Sequence, residues 1–189
     1  IIGSRECTRS TSPAITCVRS GRSRSGRAFS SGYDVAPVSR EYTEARHANV
    51  RTDIQYLRRT AERWSVIWNL SKPVIAQVHG YCLAGGTDLA LHCDIVIAAE
   101  DATFGFPPVR SMGAPPTHMW TYLIGPQWAK YMLLTGDFIS GEEAARIGLV
   151  LKSTPIDDLE ETVINSKEGN IEGTTTEVIN NNLFVSLLV

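Results

Sequence analysis

Apolar residues recur at Ile54, Leu57, Ala61, Trp64 and Trp68 with the spacing of one helical face, and Arg51, Arg58, Arg59, Glu62 and Arg63 fall between them. This pattern predicts an amphipathic helix over Val50 to Leu70, closed by Pro73, with the charged residues in water. The period then changes. Val74-Ile75-Ala76-Gln77-Val78 and Asp94-Ile95-Val96-Ile97-Ala98-Ala99 are nearly continuous apolar runs rich in β-branched residues, as expected of strands covered on both faces. Ser140 with Glu143 reads as a capping box opening a short helix, Gly148 is placed to end it, and Leu149-Val150-Leu151 returns as a strand. Strands alternating with helices put residues 26–158 in the α/β class.

The flanks differ in character. Residues 1–25 carry Arg5, Arg9, Arg19, Arg22 and Arg24 among serines, with one β-prone run, Ala14 to Val18, and are expected to be partly disordered. Residues 159–189 follow the acidic Asp157-Asp158 and run into a Thr/Asn/Gly-rich stretch, Gly169 to Asn182, before the apolar Leu183 to Val189. That tail has no evident place in the core, and no internal repeat is visible.

At 189 residues and 43% hydrophobic content the chain suits one ordinary globular core. A net charge of −2 argues against a general attraction to nucleic acid or anionic membrane. The N-terminal arginines alone, without interleaved aromatics, do not make a nucleic-acid site. Cys7, Cys17, Cys82 and Cys93 form no CxxC pair, and His92-Cys93 lacks any zinc-partnering pattern, so buried reduced thiols, no metal and a cytoplasmic or organelle-matrix setting, the cytoplasm first, are expected. No apolar run reaches the roughly 20 residues that span a bilayer, and the start lacks a signal-peptide core, so a soluble protein is expected. The Arg- and Ser-rich start has a transit-peptide composition, but Ser12-Pro13 and Ser20-Gly21 interrupt any amphipathic helix there.

Candidate chemistry lies in two glycine-containing turns. The first is Gly26 to Asp34, including Ser31-Gly32-Tyr33, and the second is His79 to Ala90, including Ala84-Gly85-Gly86-Thr87-Asp88. In the second, a buried strand enters a small-residue turn and then a helix, which directs unpaired N–H groups at whatever lies beyond the strand. Gly85 and Gly86 have no Cβ, so a ligand carbonyl could approach the backbone closely. A thioester oxygen is a fitting guest, because fixed donors at a developing enolate are worth roughly 3–4 kcal/mol.

Both turns, their order and the segment Cys93 to Gly105 resemble the crotonase superfamily, the enoyl-CoA hydratase/isomerase group. The likeness continues through Leu134-Thr135-Gly136 and Glu143 to Val150. It implies a ββα-spiral core, incomplete at both termini, with the first strands missing or altered before Ala14 and the C-terminal helices absent. It further implies an acyl-CoA thioester as substrate, no cofactor beyond the coenzyme A of that substrate, and a homo-trimer or hexamer if the C-terminal region permits. The oxyanion donors would be the backbone N–H groups of Tyr33 and Gly85, with Ser31, Gly32, Ala84, Gly86 and Pro108 lining the substrate. The hydratases use two glutamates; the first falls at Asp88 here and the second at Pro108, which cannot move a proton. Asp88 could shuttle a proton between two carbons, whereas water addition asks for a base and an acid together. Acyl-CoA binding is therefore implied more strongly than hydration.

Several of these residues also have plainer readings. Asp88 in a first helical turn stabilises the macrodipole whether or not it reacts. Arg110 and His118 lie in the loop that replaces the second-glutamate region and could supply a donor or an anion contact, although solvated side chains are the common case there. His92 is expected to be a packed core histidine, and Trp64, Trp68, Trp120 and Trp128 to be core or acyl-pocket wall. A rival to the enzyme is a catalytically impaired or truncated crotonase-fold protein acting as a binding or assembly module.

Overall fold

The computed structural model of the protein describes residues 16–19, 28–33, 49–111 and 113–168. The Arg/Ser-rich start before Thr16, Gly26, Arg27 and Asp34 of the first turn, and the tail from Gly169 onward lie outside the described residues.

Eight strands form two four-stranded sheets. In the first, β1 (Thr16–Arg19), β3 (Val74–Val78), β5 (Ile95–Ala99) and β8 (Lys152–Thr154) lie in that order, all parallel. In the second, β2 (Ala28–Ser30), β4 (Tyr81–Leu83) and β6 (Thr103–Gly105) run parallel, and β7 (Phe138–Ser140) closes the edge antiparallel to β6. From β1 to β6 consecutive strands step from one sheet to the other. The turn between β3 and β4 is His79-Gly80, with Gly80 at φ 57°, a left-handed conformation that glycine adopts without a Cβ penalty. Each such strand pair then feeds a helix, which is the ββα spiral that the resemblance implies.

All five residues of β3 are buried, in keeping with its apolar run, and β3 sits between β1 and β5. The helix α1 spans Val50–Trp68, capped by a reciprocal pair of hydrogen bonds between Asn49 and Thr52. The short helix α2 (Gly85–Leu91) is buried at every residue. A 3-10 turn, Pro107–Arg110, leads to α3 (Met119–Thr135), and α4 (Gly141–Arg146) precedes β8. The final described helix is α5 (Leu159–Glu168). Among the described residues no helix is long and apolar enough to cross a membrane.

Four features differ from the sequence expectations. The helix α1 ends at Trp68 rather than Leu70, and of its expected inner face only Trp64 is buried; Leu57 is 56% exposed. It meets the core through Trp64 and Ile67, at its C-terminal end. Leu149 to Leu151 is not a strand. Gly148, at φ 82°, turns the chain, Leu149 and Val150 fill the core with their N–H groups on the Ala144 carbonyl, and pairing with β5 starts at Lys152. Only half of the box at Ser140 forms: its hydroxyl accepts from the Glu143 N–H, while the Glu143 carboxylate pairs with Arg146. Beyond the expected edge of the core at residue 158, α5 buries Leu159 and Val163; at the other end, β1 lies within residues 1–25.

Candidate active site

The strands β2, β4 and β6 are parallel, so the segments that leave them emerge on one edge of the second sheet. Ligand sites in parallel sheets form at such carboxyl ends. From β2 the chain continues as Ser31-Gly32-Tyr33, from β4 as Ala84 into α2, and from β6 as Phe106 into the 3-10 turn. The β4–β6 register sets Leu83 opposite Gly105, and the Ala84 N–H donates to the Gly105 carbonyl at 3.1 Å.

The first two segments touch through glycines. Gly32 has φ +108°, and a Cβ there would fall 2.7 Å from the Ala84 Cβ and 3.1 Å from the Gly85 nitrogen. A Cβ on Gly86 would stand 2.6 Å from the Ser30 carbonyl oxygen. Only residues without a side chain let the turns close this far. Ala84 itself has φ 51° and ψ −121°, a conformation that costs a non-glycine residue about 1–3 kcal/mol and is found where surrounding structure enforces it. Its carbonyl accepts from the Thr87 and Asp88 N–H groups at 2.9 and 3.2 Å and from the Thr87 hydroxyl at 2.6 Å, which turns β4 sharply into α2. The N–H groups of Tyr33 and Gly85 have no acceptor among the described residues.

Asp88, in the first turn of α2, is 1% exposed. Its Oδ2 accepts a hydrogen bond from the Tyr33 hydroxyl at 2.9 Å. Burial pushes the Asp88 carboxyl up to about 6, and the Tyr33 hydrogen bond acts against that rise. The Tyr33 phenol is raised well above its ordinary value, first by burial and then by the Asp88 charge. Its oxygen in turn accepts from the Trp64 indole N–H at 3.0 Å, and the two rings meet edge to face with centroids 6.2 Å apart. The Tyr33 ring also lies over Gly85, where a Cβ would be 2.9 Å from Cε2.

His92 completes the inner wall, stacked on Trp64 at 6.2 Å. Its Nδ1 donates to the Asp88 carbonyl at 2.6 Å; a carbonyl can only accept, so this nitrogen carries the proton. Burial pushes His92 below its ordinary value, so the imidazole is neutral at neutral pH. Cys82 and Cys93 are buried thiols outside any disulfide, the Cys93 thiol donating to the Leu89 carbonyl at 3.4 Å, and burial pushes Cys82 well up.

The contacts just given bring Gly32, Tyr33, Ala84, Gly85, Gly86 and Asp88 together, with Ser31 next to Gly32 in the chain, and Pro108 lies in the 3-10 turn that leaves β6 on the same edge. The Pro108 carbonyl accepts from the Ser111 and Gly113 N–H groups at 3.0 and 3.1 Å, and no hydrogen bond ties the residue to Asp88. Arg110 is held by the Thr135 carbonyl at 3.0 Å and Asp137 at 3.2 Å. His118 is exposed at the start of α3. Of the four tryptophans, Trp120 is core and Trp64 lines the site. Trp68 packs on Tyr122, and Trp128 packs on Tyr131. Sequence reasoning used only the backbone of Tyr33; the one hint of more was a large, polar-tipped side chain at a place needing only an N–H. Nothing in the sequence connects Trp64 to it.

A sequence model of the enoyl-CoA hydratase/isomerase family matches residues 21–178. The chain is 34% identical over 145 residues to the mitochondrial enoyl-CoA hydratase of Pongo abelii, covering 75% of this chain and 47% of that protein. Among solved structures it resembles an enoyl-CoA hydratase from Mycobacterium smegmatis, with TM-score 0.79 and 32% identity over 92% of this chain and 61% of that one. An enoyl-CoA hydratase/isomerase from Xanthobacter autotrophicus gives 0.72 and 33%, over 92% of this chain and 63% of that one. The chain spans about half the length of the curated relatives it matches.

Proposed function

Because this chain belongs to the enoyl-CoA hydratase/isomerase family, we propose that it binds an acyl-CoA thioester where its two glycine turns meet and moves a proton along the acyl chain with Asp88. The observation that carries this reading is the buried Asp88 carboxyl, poised near neutrality on the turn that carries the Gly85 N–H and bonded to Tyr33, two residues whose N–H groups have no acceptor among the described residues.

The thioester oxygen would accept from the Tyr33 and Gly85 N–H groups. The Asp88 carboxylate removes a proton from the α-carbon of a 3-enoyl chain, and the C–H electron pair moves into the thioester, leaving negative charge on the oxygen between the two donors. When that charge returns, Asp88 gives the proton back at the γ-carbon and the double bond has moved one position, with no atom gained or lost. Adding water across a 2-enoyl double bond needs a second acid or base, and Pro108 offers none. Isomerisation is therefore the favoured reaction and hydration a feeble one. Coenzyme A enters as part of the substrate, and no further cofactor is required.

A second reading, acyl-CoA binding without turnover, is favoured by the Tyr33 ring lying over Gly85, where it narrows access to the donor. Product analysis with a panel of 2-enoyl- and 3-enoyl-CoA esters separates the two. Conversion of 3-enoyl esters to 2-enoyl esters supports the isomerase; saturable binding with no product supports the module.

A further inference from the structure

We infer that Tyr33 is a positioning residue for the proton carrier: its phenol, oriented by the Trp64 N–H, occupies Oδ2 of Asp88 and leaves Oδ1 to take and return the substrate proton. This rests on the reading of Asp88 just given.

The direction of each hydrogen bond follows from the groups involved. An indole nitrogen only donates, so at 3.0 Å from Trp64 the Tyr33 oxygen must be the acceptor. The phenol proton is then free to point at Oδ2, 2.9 Å away. That bond takes up one lone pair of Oδ2 and draws charge from it, which leaves Oδ1 the more basic oxygen and the one that takes the proton from carbon. Tyr33 thereby links the thioester clamp, through its backbone, to the proton carrier, through its side chain. The other titratable groups packed against Asp88 do not compete for its charge: His92 is turned to the Asp88 carbonyl and held neutral, and the Cys82 thiol is kept protonated by burial. Among the described residues no cation pairs with Asp88, so the phenol is the group that steadies its ionised form.

Tyr33→Phe separates the two roles, since it keeps the backbone N–H and the ring but deletes the hydroxyl. The Asp88 carboxyl is followed by infrared titration in the folded protein without substrate, and assigned by its loss in Asp88→Asn. Removing one hydrogen bond to a charged group should raise the Asp88 midpoint by about one pH unit in Tyr33→Phe. The rising limb of kcat/KM should move up with it, kcat near pH 6 should fall several-fold, and KM should stay within about twofold because the backbone clamp is untouched. Trp64→Phe should shift both curves in the same direction by less. An Asp88 titration that stays in place in folded Tyr33→Phe, while Asp88→Asn abolishes turnover, overturns this inference alone. Turnover retained by Asp88→Asn overturns it together with the reading on which it rests.

Discussion

The Tyr33 hydroxyl donates to Oδ2 of Asp88 at 2.9 Å, joining two turns that lie 55 positions apart in the sequence. The contact ties the loop after β2 to the first turn of α2, and so joins the proposed backbone donors to the proposed proton carrier. Its electrostatic setting is costly to the fold. A carboxyl raised to about 6 is one whose ionised form the folded protein disfavours.

That cost sets the sign of a stability experiment. The folded value for Asp88 lies above the ordinary 3.8, so the stabilisation it contributes is fully present below pH 3.8 and is lost as pH rises through about 6. Asp88→Asn removes the ionisation and should stabilise the protein at pH 7.5 by on the order of 2–3 kcal/mol, with a much smaller gain near pH 4. Thermal melts at the two pH values measure this. A gain of equal size at both would show that the charge is not the cause.

The glycine contacts allow a matched comparison. Gly32 and Gly113 both have φ near that of a strained turn, +108° and +118°, but a Cβ on Gly32 would strike Ala84 whereas one on Gly113 meets nothing within 4 Å. Gly113→Ala should cost about 1 kcal/mol of backbone strain, and Gly32→Ala about 2–3 kcal/mol with loss of acyl-CoA binding. Urea unfolding of both variants, with binding measured alongside, is the test. Equal costs and intact binding would mean that the two turns need not close as described.

On the proposed reading, Pro108 leaves the site one protic group short of water addition. Pro108→Glu should raise hydration of a 2-enoyl-CoA by roughly 10²-fold or more above the parent, in line with the usual contribution of a general acid or base. The 3-10 turn tolerates the change, since the freed N–H lies in its first turn and needs no partner within it. Hydration that stays at the parent level in the folded variant would place the deficit elsewhere.

Large apolar side chains stand in water on two helices, with Leu134 81% and Val66 61% exposed. We propose that another copy of the chain covers these side chains. Concentration-dependent self-association should appear by light scattering between roughly 1 and 100 μM, and be weak enough to dissociate on dilution. A mass that stays monomeric throughout, or a sharp hexamer at every concentration, would contradict this.

How much of this was legible in the sequence varied with the range of the interaction. The strands β3 and β5 and the helix α1 announce themselves through local period, and the turn glycines through local composition. The helix α3 was missed because Gly125, at φ 71°, and Pro126 kink it and break the 3.6-residue pattern. The helix α5 escaped notice because only Leu159 and Val163 face the core within a polar segment. The strand expected at Leu149 to Leu151 came from apolar content that fills the core after a helix cap instead. Within the site, the proposed backbone roles of Tyr33 and Gly85 and the candidacy of Asp88 rest on the order of the motifs. The Trp64–Tyr33–Asp88 chain depends on a contact between α1 and the turn after β2, and no local pattern encodes it.

On the proposed reading, Asp88 shuttles a proton along an acyl chain whose thioester is held by two backbone N–H groups. Incubating the parent and Asp88→Asn with a 3-enoyl-CoA ester and a 2-enoyl-CoA ester, and identifying the products by chromatography, tests it directly. The parent should convert the 3-enoyl ester to the 2-enoyl ester with little hydroxyacyl product, and Asp88→Asn should bind both esters yet lose conversion by at least about 10²-fold. Efficient hydration of the 2-enoyl ester by the parent, undiminished in Asp88→Asn, would contradict the account.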